Sequence, residues 1–379
     1  MSPLLAAIGC FALYIFGYRV YARFLAGRIF KLDPLRVTPA HALRDEVDYV
    51  PTNRFVLFGH HYASITGLAP MLGPAVAVIW GWVPAMLWVV LGAVLVGCVH
   101  DFGALVVSMR AQGLSIGKVA DGVISPRAKS LFLAIIFFGV ALAMGVFVFV
   151  IATLFTIGDD FDPNNLAAAK QSFPSAVLPS GALMIMAVII GHLLYKRNFP
   201  LGRTTVVGFI LMLFFVWLGA QYPTLGLDPR QWPSQSSWTW LLLAYAYLAS
   251  VLPVWSLLQA RDFLNSLLLY LGLLAAYAGF FVLAPVFHAP MLNANPEGAP
   301  SLFPFVFIII ACGAASGFHG LVSSGTTAKQ IDKETDSRFI AYGGMIGESL
   351  LGLLAVLACT AGFRSDAAWN SAYKDWATI

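Results

Sequence analysis

The chain is built from a succession of apolar runs of about twenty residues, and these runs restrict what it can fold into. A helix that crosses the hydrocarbon core of a bilayer needs about 20 mainly apolar residues. Hydrophobic residues make up 59% of the sequence and charged residues only 11%, whereas a soluble domain carries about 25% charged residues. No soluble core absorbs that much apolar surface, so the sequence predicts an all-α polytopic membrane protein.

Ten runs are long enough to cross a membrane, and short loops join most of them. They form a single predicted transmembrane domain over 1–379, in which 1–56 holds the first helix and a basic cytoplasmic loop. The predicted spans 1 to 10 are 3–25, 57–79, 83–108, 131–157, 176–195, 204–221, 238–258, 263–286, 302–324 and 339–361.

The basic residues predict the orientation of these spans, because cytoplasmic loops of membrane proteins carry an excess of lysine and arginine. With the N-terminus outside, all but four of the 22 basic residues fall on the inner side. An odd number of missed helices would destroy this alternation, so it supports a count of ten and predicts both chain ends outside. The four basic residues predicted outside are Lys170, Arg230, Arg364 and Lys374.

The cysteines and the net charge indicate neither a metal site nor a nucleic-acid partner. Cys10, Cys98, Cys312 and Cys359 lie far apart in apolar runs, without a CxxC pair, which is typical of small buried hydrophobic residues. A net charge of +4 is ordinary for a membrane protein. The sequence therefore predicts a lipid environment, no metal and no cofactor.

Span 2 contains the stretch FGHHYASITGLAPMLGP, which places glycines, prolines and two histidines inside an apolar run. A broken helix survives in lipid only where it lines a protein cavity, although a kink or a close helix contact is the other reading. Span 7 carries Pro253 deep within it, and span 9 carries three glycines, with a fourth, Gly325, directly after it. Spans 2 and 7 are five apart and oppositely oriented, and interruptions in such matching places are typical of an inverted-repeat transporter.

Several long motifs resemble the carbon starvation protein A family. They are RFVLFGHHYASITGLAPMLGP, GCVHDFGALVVSMR, SVLPVWSLLQARD, ACGAASGFHGLVSSGTTAKQ and YGGMIGESL. The resemblance implies a multi-pass transporter of the bacterial inner membrane that takes up peptides, or in some members pyruvate, during carbon starvation. It also implies proton coupling, with sodium as the alternative ion.

The same resemblance implies a LeuT-like inverted repeat of the amino acid–polyamine–organocation superfamily. The first five-helix repeat is then 57–221, and the second, 238–379, lacks its last core helix. This predicts that the chain transports poorly by itself, or works with a partner chain or as a homo-oligomer.

Polar residues at the interruptions are the candidate substrate- and ion-binding groups. In a LeuT-like site, half-helix N-termini face anionic substrate groups, so the N–H groups over 67–73 could hold a carboxylate. The hydroxyls of span 9 either face span 2 as a binding site or only bond helix to helix. The candidate residues are His60, His61, Ser64, Thr66, Gly67, Pro70, Pro253, Ser316, His319, Ser323, Ser324 and Thr326.

Two acids inside the spans, Asp101 and Glu348, are the candidate proton-coupling residues, and His319 is a third group that could carry a proton. Glu348 lies about 13 Å from the inner end of its helix, close to the midplane, and a carboxylate there is functional by default. The structural reading is a protonated Glu348 that bonds His319 or a serine of span 9. Asp101 is expected to be shallower and hydrated. His100 is not expected to face it, since successive helix positions point apart.

Three classes of function compete for such a chain. A secondary transporter explains the interrupted spans, while a channel-like protein or a partner-dependent subunit of a split transporter is the alternative. A membrane enzyme would need a nucleophile with a base, or a set of metal ligands, and no such constellation is apparent. The sequence therefore predicts a transporter and not an enzyme.

Overall fold

The structure is a computed structural model that describes residues 2–158, 172–197 and 199–379. Over these residues the protein is helical, and its only β feature is an isolated bridge between Thr52 and Ile331. Lys170 lies outside the described residues. The helices are α1 (Pro3–Ile29), α2 (Pro39–Ala42), α3 (Arg54–Ile65), α4 (Ala69–Trp80), α5 (Trp82–Arg110), α6 (Ile116–Val123), α7 (Pro126–Phe155), α8 (Pro174–Tyr195), α9 (Leu201–Gln221), α10 (Gln235–Val251), α11 (Leu258–Leu283), α12 (Leu302–Ile309), α13 (Ala311–Ala314), α14 (Gly317–Gly325), α15 (Glu334–Ala361) and α16 (Asp366–Ala372).

Seven of the described helices are long and apolar enough to cross a membrane, and the pair α3 and α4, bent by 49°, raises this number to eight. These eight elements coincide with predicted spans 1 to 6, 8 and 10. The two remaining predicted spans are shorter elements, because span 7 is the 17-residue α10 and span 9 is divided among α12, α13 and α14. The protein is thus an all-helical, multi-pass membrane protein, and a count of ten spans stays a prediction.

The prediction that Pro253 interrupts span 7 deep within it is wrong. Helix α10 ends at Val251 and α11 begins at Leu258, so Pro253 lies in the turn between them. Proline disfavours a helical residue before it, and Leu252 is accordingly extended, with ψ at 149°. The second interrupted span is therefore span 9, where Ala315 and Ser316 separate α13 from α14.

The chain divides into two compact units. The first comprises Met1–Asp45, Tyr49–Ile116 and Leu268–Ile379, and the second comprises Glu46–Asp48 and Gly117–Leu267. Neither unit coincides with the predicted repeats 57–221 and 238–379, so the division into repeats stays a prediction. All of the interrupted helices, α3 with α4 and α12 to α14, belong to the first unit.

Helices α5 and α15 form the centre of the first unit. The most apolar stretch of each is more than half buried, 56% in α5 and 61% in α15. Lipid-exposed helices show much smaller buried shares, since the corresponding stretch of α7 is 6% buried. A polar side chain on the inner face of α5 or α15 is therefore removed from both lipid and water.

On the side predicted to be cytoplasmic, one buried carboxylate fastens the loop after α1 to the core. The side chain of Glu334 accepts hydrogen bonds from Arg36 at 3.1 Å, from Arg110 at 2.8 Å and from the backbone N–H of Asp33 at 2.8 Å. Charge-assisted bonds of this kind are stronger than neutral ones. The start of α15 and the end of α5 are thereby held against the same loop.

Candidate ion and substrate site

Three titratable side chains from three helices meet in the core of the first unit. The Nδ1 atom of His319 (α14) lies 2.8 Å from Asp101 Oδ2 (α5), and its Nε2 atom lies 3.0 Å from Glu348 Oε2 (α15). None of the three side chains is exposed to solvent. The contact to Asp101 is a hydrogen bond, whereas Nε2 and Oε2 face each other without hydrogen-bond alignment. Glu348 therefore contacts His319, one of the neighbours predicted for it, but the predicted hydrogen bond between them is not formed in this geometry.

The environment of Asp101 differs from the predicted one in two respects. Its side chain is completely buried rather than hydrated, because α5 lies at the centre of the unit. His100 also contacts it, since the Nδ1 atom of His100 is 2.9 Å from Asp101 Oδ1. Successive Cα–Cβ bonds do point apart on a helix, but the imidazole is long enough to turn back. Asp101 is thus held by histidines on both of its oxygens.

Cys312 is a member of the site that the sequence did not indicate. Its thiol lies 3.7 Å from Glu348 Oε1 and donates a hydrogen bond to it. The donor atoms of Cys312, His319 and Glu348 all lie within 4.8 Å of one another, a spacing that could also hold a metal ion. No pattern in the sequence reveals this set, because Cys312 and His319 belong to different helices on either side of an interruption.

Close backbone contacts place these helices against one another. A Cβ atom at Gly97 would overlap the carbonyl oxygen of Ala314, and one at Gly73 would overlap that of Ile309. Glycine at these two positions allows α5 and α4 to approach the interrupted helices α12 and α13. Gly97 lies one turn before Asp101, so its contact with α13 sets the position of that carboxylate relative to His319.

The interruption predicted in span 2 is present as a break of three residues, Thr66–Leu68, between α3 and α4. The backbone N–H of Thr66 ends α3 by donating to the carbonyl of Tyr62 at 2.9 Å. Pro70 stands at the start of α4, where a missing N–H is tolerated. Gly67 is the exposed residue of the break. The chain therefore leaves the helix in the apolar region, as the sequence predicts.

Span 9 contacts span 2 directly. His61 Nδ1 lies 2.9 Å from the hydroxyl of Thr327, which follows α14. The Nε2 atom of His61 and the hydroxyl of Ser323 are buried and form no hydrogen bond within the described part of the chain. An unpaired polar group in the interior costs about 1–3 kcal/mol, so these two atoms are candidates to contact a bound solute.

The other predicted residues fall into distinct structural settings. His60 and Pro70 are buried, while Ser64, Thr66 and Thr326 are half-buried. Ser316 is the buried residue immediately before α14, and Thr326 is the residue at its end. Ser324 has a structural role, because its hydroxyl accepts the backbone N–H of Ile116 at 3.2 Å. Pro253 belongs to the second unit and is not part of this cluster.

The break in span 2 can be tested by extending the helix across it. Leucine is a good helix former and would fill the exposed position at Gly67, so Gly67→Leu is expected to abolish solute uptake by membrane vesicles while membrane insertion stays normal. Gly139→Leu is the matched control, since Gly139 has no neighbour within 4 Å of an added Cβ. Full uptake by Gly67→Leu would mean that the break is only a kink.

Comparison with known proteins assigns the family. The family described as carbon starvation protein CstA matches residues 2–372. The chain belongs to this family. Its resemblance to the carbon starvation protein A family, predicted from the motifs, is thereby confirmed over nearly the whole chain. No solved structure matches this CstA-family chain.

The relatives of this CstA-family chain are named as transporters. It is 36% identical over 374 residues to "Peptide transporter CstA" of Helicobacter pylori strain 26695, covering 93% of this chain and 50% of the relative. It is 35% identical over 371 residues to "Pyruvate/proton symporter BtsT" of Escherichia coli K12, covering 95% and 49%. The Bacillus subtilis "Peptide transporter CstA" is 34% identical over 366 residues, covering 95% and 58%. The chain thus spans about half the length of these relatives, and their names point to a protein that is not an enzyme.

Proposed function

We propose that this chain is a proton-coupled secondary transporter of the bacterial inner membrane, which takes up a small carboxylate-bearing solute, a peptide or pyruvate, when carbon is scarce. The main support for this proposal is that His319 lies between Asp101 and Glu348 and that all three side chains are removed from solvent. The names of the relatives support this class of function, since they include a peptide transporter and a pyruvate/proton symporter.

The charge of the triad suits it to bind one proton. With both carboxylates ionised and the imidazole cationic, the three groups carry a net charge of −1, and one added proton makes them neutral. A net charge is costly to hold in an apolar interior. The protein is therefore expected to change between its outward-open and inward-open conformations most easily when the triad is neutral and carries the proton. Sodium sites are instead built largely from carbonyl oxygens, and an imidazole between two carboxylates favours the proton as the coupling ion.

The solute site is proposed to lie beside the triad, at the two interruptions. His61 Nε2 and Ser323 Oγ are buried polar atoms without a hydrogen-bond partner among the described residues, and both lie on the contact between span 2 and span 9. Thr66 and Gly67 already donate their N–H groups to the carbonyls of Tyr62 and Ile65. The proposed further donors for a carboxylate are therefore the N–H groups at the start of α4, at Leu68 and Ala69. This placement puts the bound anion and the exchanged proton in the same part of the protein.

Ser323 and its neighbour Ser324 separate a solute-binding role from a structural one. Ser323→Ala removes a hydroxyl that has no hydrogen-bond partner in the part of the chain that the structure describes, so stability should not fall. The KM for solute uptake is expected to rise about tenfold, which corresponds to the loss of one hydrogen bond. Ser324→Ala removes the partner of the Ile116 N–H and should cost about 1 kcal/mol of stability without changing the KM. Uptake kinetics and thermal unfolding distinguish the two, and an unchanged KM in Ser323→Ala would remove this serine from the site.

The proposed activity is tested with membrane vesicles that contain the chain. Labelled pyruvate and a labelled dipeptide are supplied with an inward proton gradient, with an inward sodium gradient, or with neither. The proposal expects saturable accumulation of one solute that depends on the proton gradient alone. Accumulation that depends on the sodium gradient would show that sodium, and not the proton, is the coupling ion. A conductive flux that never saturates would favour a channel.

A further inference from the structure

A groove of about 850 Å³ lies on the first unit between α1, α3, α11 and α15, and none of the three triad residues lines it. Aromatic and aliphatic side chains form nearly all of its wall, and no acid is among the described side chains that line it. The transport mechanism proposed above makes no use of this groove. Apart from Arg19 at one end, the wall offers a peptide or pyruvate mainly carbon atoms, so a different kind of molecule is needed to explain the groove.

The groove follows the helices lengthwise. Its wall on α1 is formed by Phe11, Tyr14 and Tyr18, which are spaced at the intervals that place residues on one helix face. On α15 it extends from Phe339 to Leu350, which is about 16 Å at 1.5 Å per residue. The hydrocarbon core of a bilayer is about 30 Å thick. The groove therefore has the length of one leaflet.

Two of the four tyrosines that line the groove, Tyr14 and Tyr277, bond their hydroxyls within the protein. Tyr14 bonds the hydroxyl of Ser349 at 2.6 Å, and Tyr277 donates to the carbonyl of Leu350 at 2.6 Å. Their rings thus present carbon atoms to the groove. The wall is suited to a hydrocarbon chain rather than to a polar solute.

One end of the groove is basic. Arg19 is among the lining residues and follows Tyr18 directly. Arg338 approaches the same place, because its guanidinium carbon lies 5.3 Å from the centre of the Tyr18 ring. Both arginines fall on the side that the charge distribution predicts to be cytoplasmic. Anionic lipids of the inner leaflet attract basic side chains at this depth.

We infer that the groove is a binding site for an anionic phospholipid of the inner leaflet. An acyl chain lies along the wall from Tyr18 to Phe11, and the phosphate of the headgroup contacts Arg19 and Arg338. The length of the groove, its apolar wall and the charge at one end agree on this occupant. A membrane helix would fit the apolar wall as well, but it would not need the two arginines.

The test uses the purified chain and native mass spectrometry with added phosphatidylglycerol or phosphatidylcholine. The wild-type chain is expected to bind phosphatidylglycerol up to about 30-fold more tightly than phosphatidylcholine. This is the preference that two basic groups near a membrane surface provide. The double variant Arg19→Gln, Arg338→Gln should lose most of this preference. Arg28→Gln is the control, because Arg28 is exposed on α1 about two and a half turns beyond Arg19, on the opposite face of the helix.

A second pair of variants tests the wall without touching a charge. Leu274→Trp would project into the groove, and Leu283→Trp adds the same side chain on the opposite face of α11; the two leucines are 70% and 79% exposed. Lipid binding should fall in the first variant and stay unchanged in the second. Equal binding of the two lipids by the wild type would overturn the inference. The inference would also be overturned if the wild-type chain carried no bound lipid but self-associated, and Leu274→Trp abolished that self-association, because the groove would then be an interface between two copies of the chain.

Discussion

Replacing Glu348 with glutamine is expected to abolish proton-driven accumulation while leaving solute binding and exchange intact. Glutamine keeps the shape of the side chain, can still accept the hydrogen bond from Cys312 and can still contact His319, but it cannot release a proton. One proton per solute molecule supports about tenfold accumulation for each unit of pH gradient. In Glu348→Gln the ratio of inner to outer solute, for whichever of pyruvate and the dipeptide the wild type accumulates, should fall to about one, as measured by labelled uptake into vesicles across an imposed gradient.

Exchange of labelled against unlabelled pyruvate, without a gradient, shows whether the same variant still binds and translocates its solute. Glu297→Gln is the matched control, because Glu297 is exposed on a loop and should behave as the wild type does. Normal accumulation by Glu348→Gln would exclude Glu348 from coupling and leave Asp101 or His319 as the candidates. A stoichiometric metal in the purified wild-type chain, lost in the variant, would also contradict the proton site.

Adding a single methyl group at Gly97 is expected to destabilise the protein and to impair transport. A Cβ at this position would overlap the carbonyl oxygen of Ala314 and approach Met345 to 3.0 Å. Backbone cannot move aside as a side chain does, so Gly97→Ala should cost about 1–3 kcal/mol, the usual penalty of overpacking. The shift separates α5 from α13 and thus moves Asp101 away from His319. Thermal unfolding in detergent and uptake by vesicles should both decline.

Gly145→Ala is the control for Gly97→Ala, and it is expected to change the stability in the opposite direction. Gly145 lies in α7 with nothing within 4 Å of an added Cβ. Alanine is about 1 kcal/mol more favourable than glycine inside a helix, so this variant should be as stable as the wild type or more stable. If Gly97→Ala behaved in the same way, the close approach of α5 to α13 would be contradicted.

The sequence by itself determined the membrane environment, the family and most of the helices. Hydrophobic runs of span length indicate a lipid environment directly, because the free energy of transfer from water to lipid is roughly a sum over residues and does not depend on which residues are neighbours in space. The break in span 2 was also readable, since Gly67 and Pro70 disfavour a continuous helix whatever surrounds them. Pro253 misled the prediction because the same local signal marks a helix end as well as an interruption.

Only the tertiary structure decided how the polar groups meet. Asp101 and His319 are separated by 218 positions in the chain, and nothing in local propensity or spacing specifies which faces of their helices turn toward each other. That choice depends on backbone contacts such as those at Gly97 and Gly73, which form only when the helices pack. Three features follow from this packing and could not be predicted from the sequence. They are the burial of Asp101, the second histidine on its carboxylate, and the thiol of Cys312 beside Glu348.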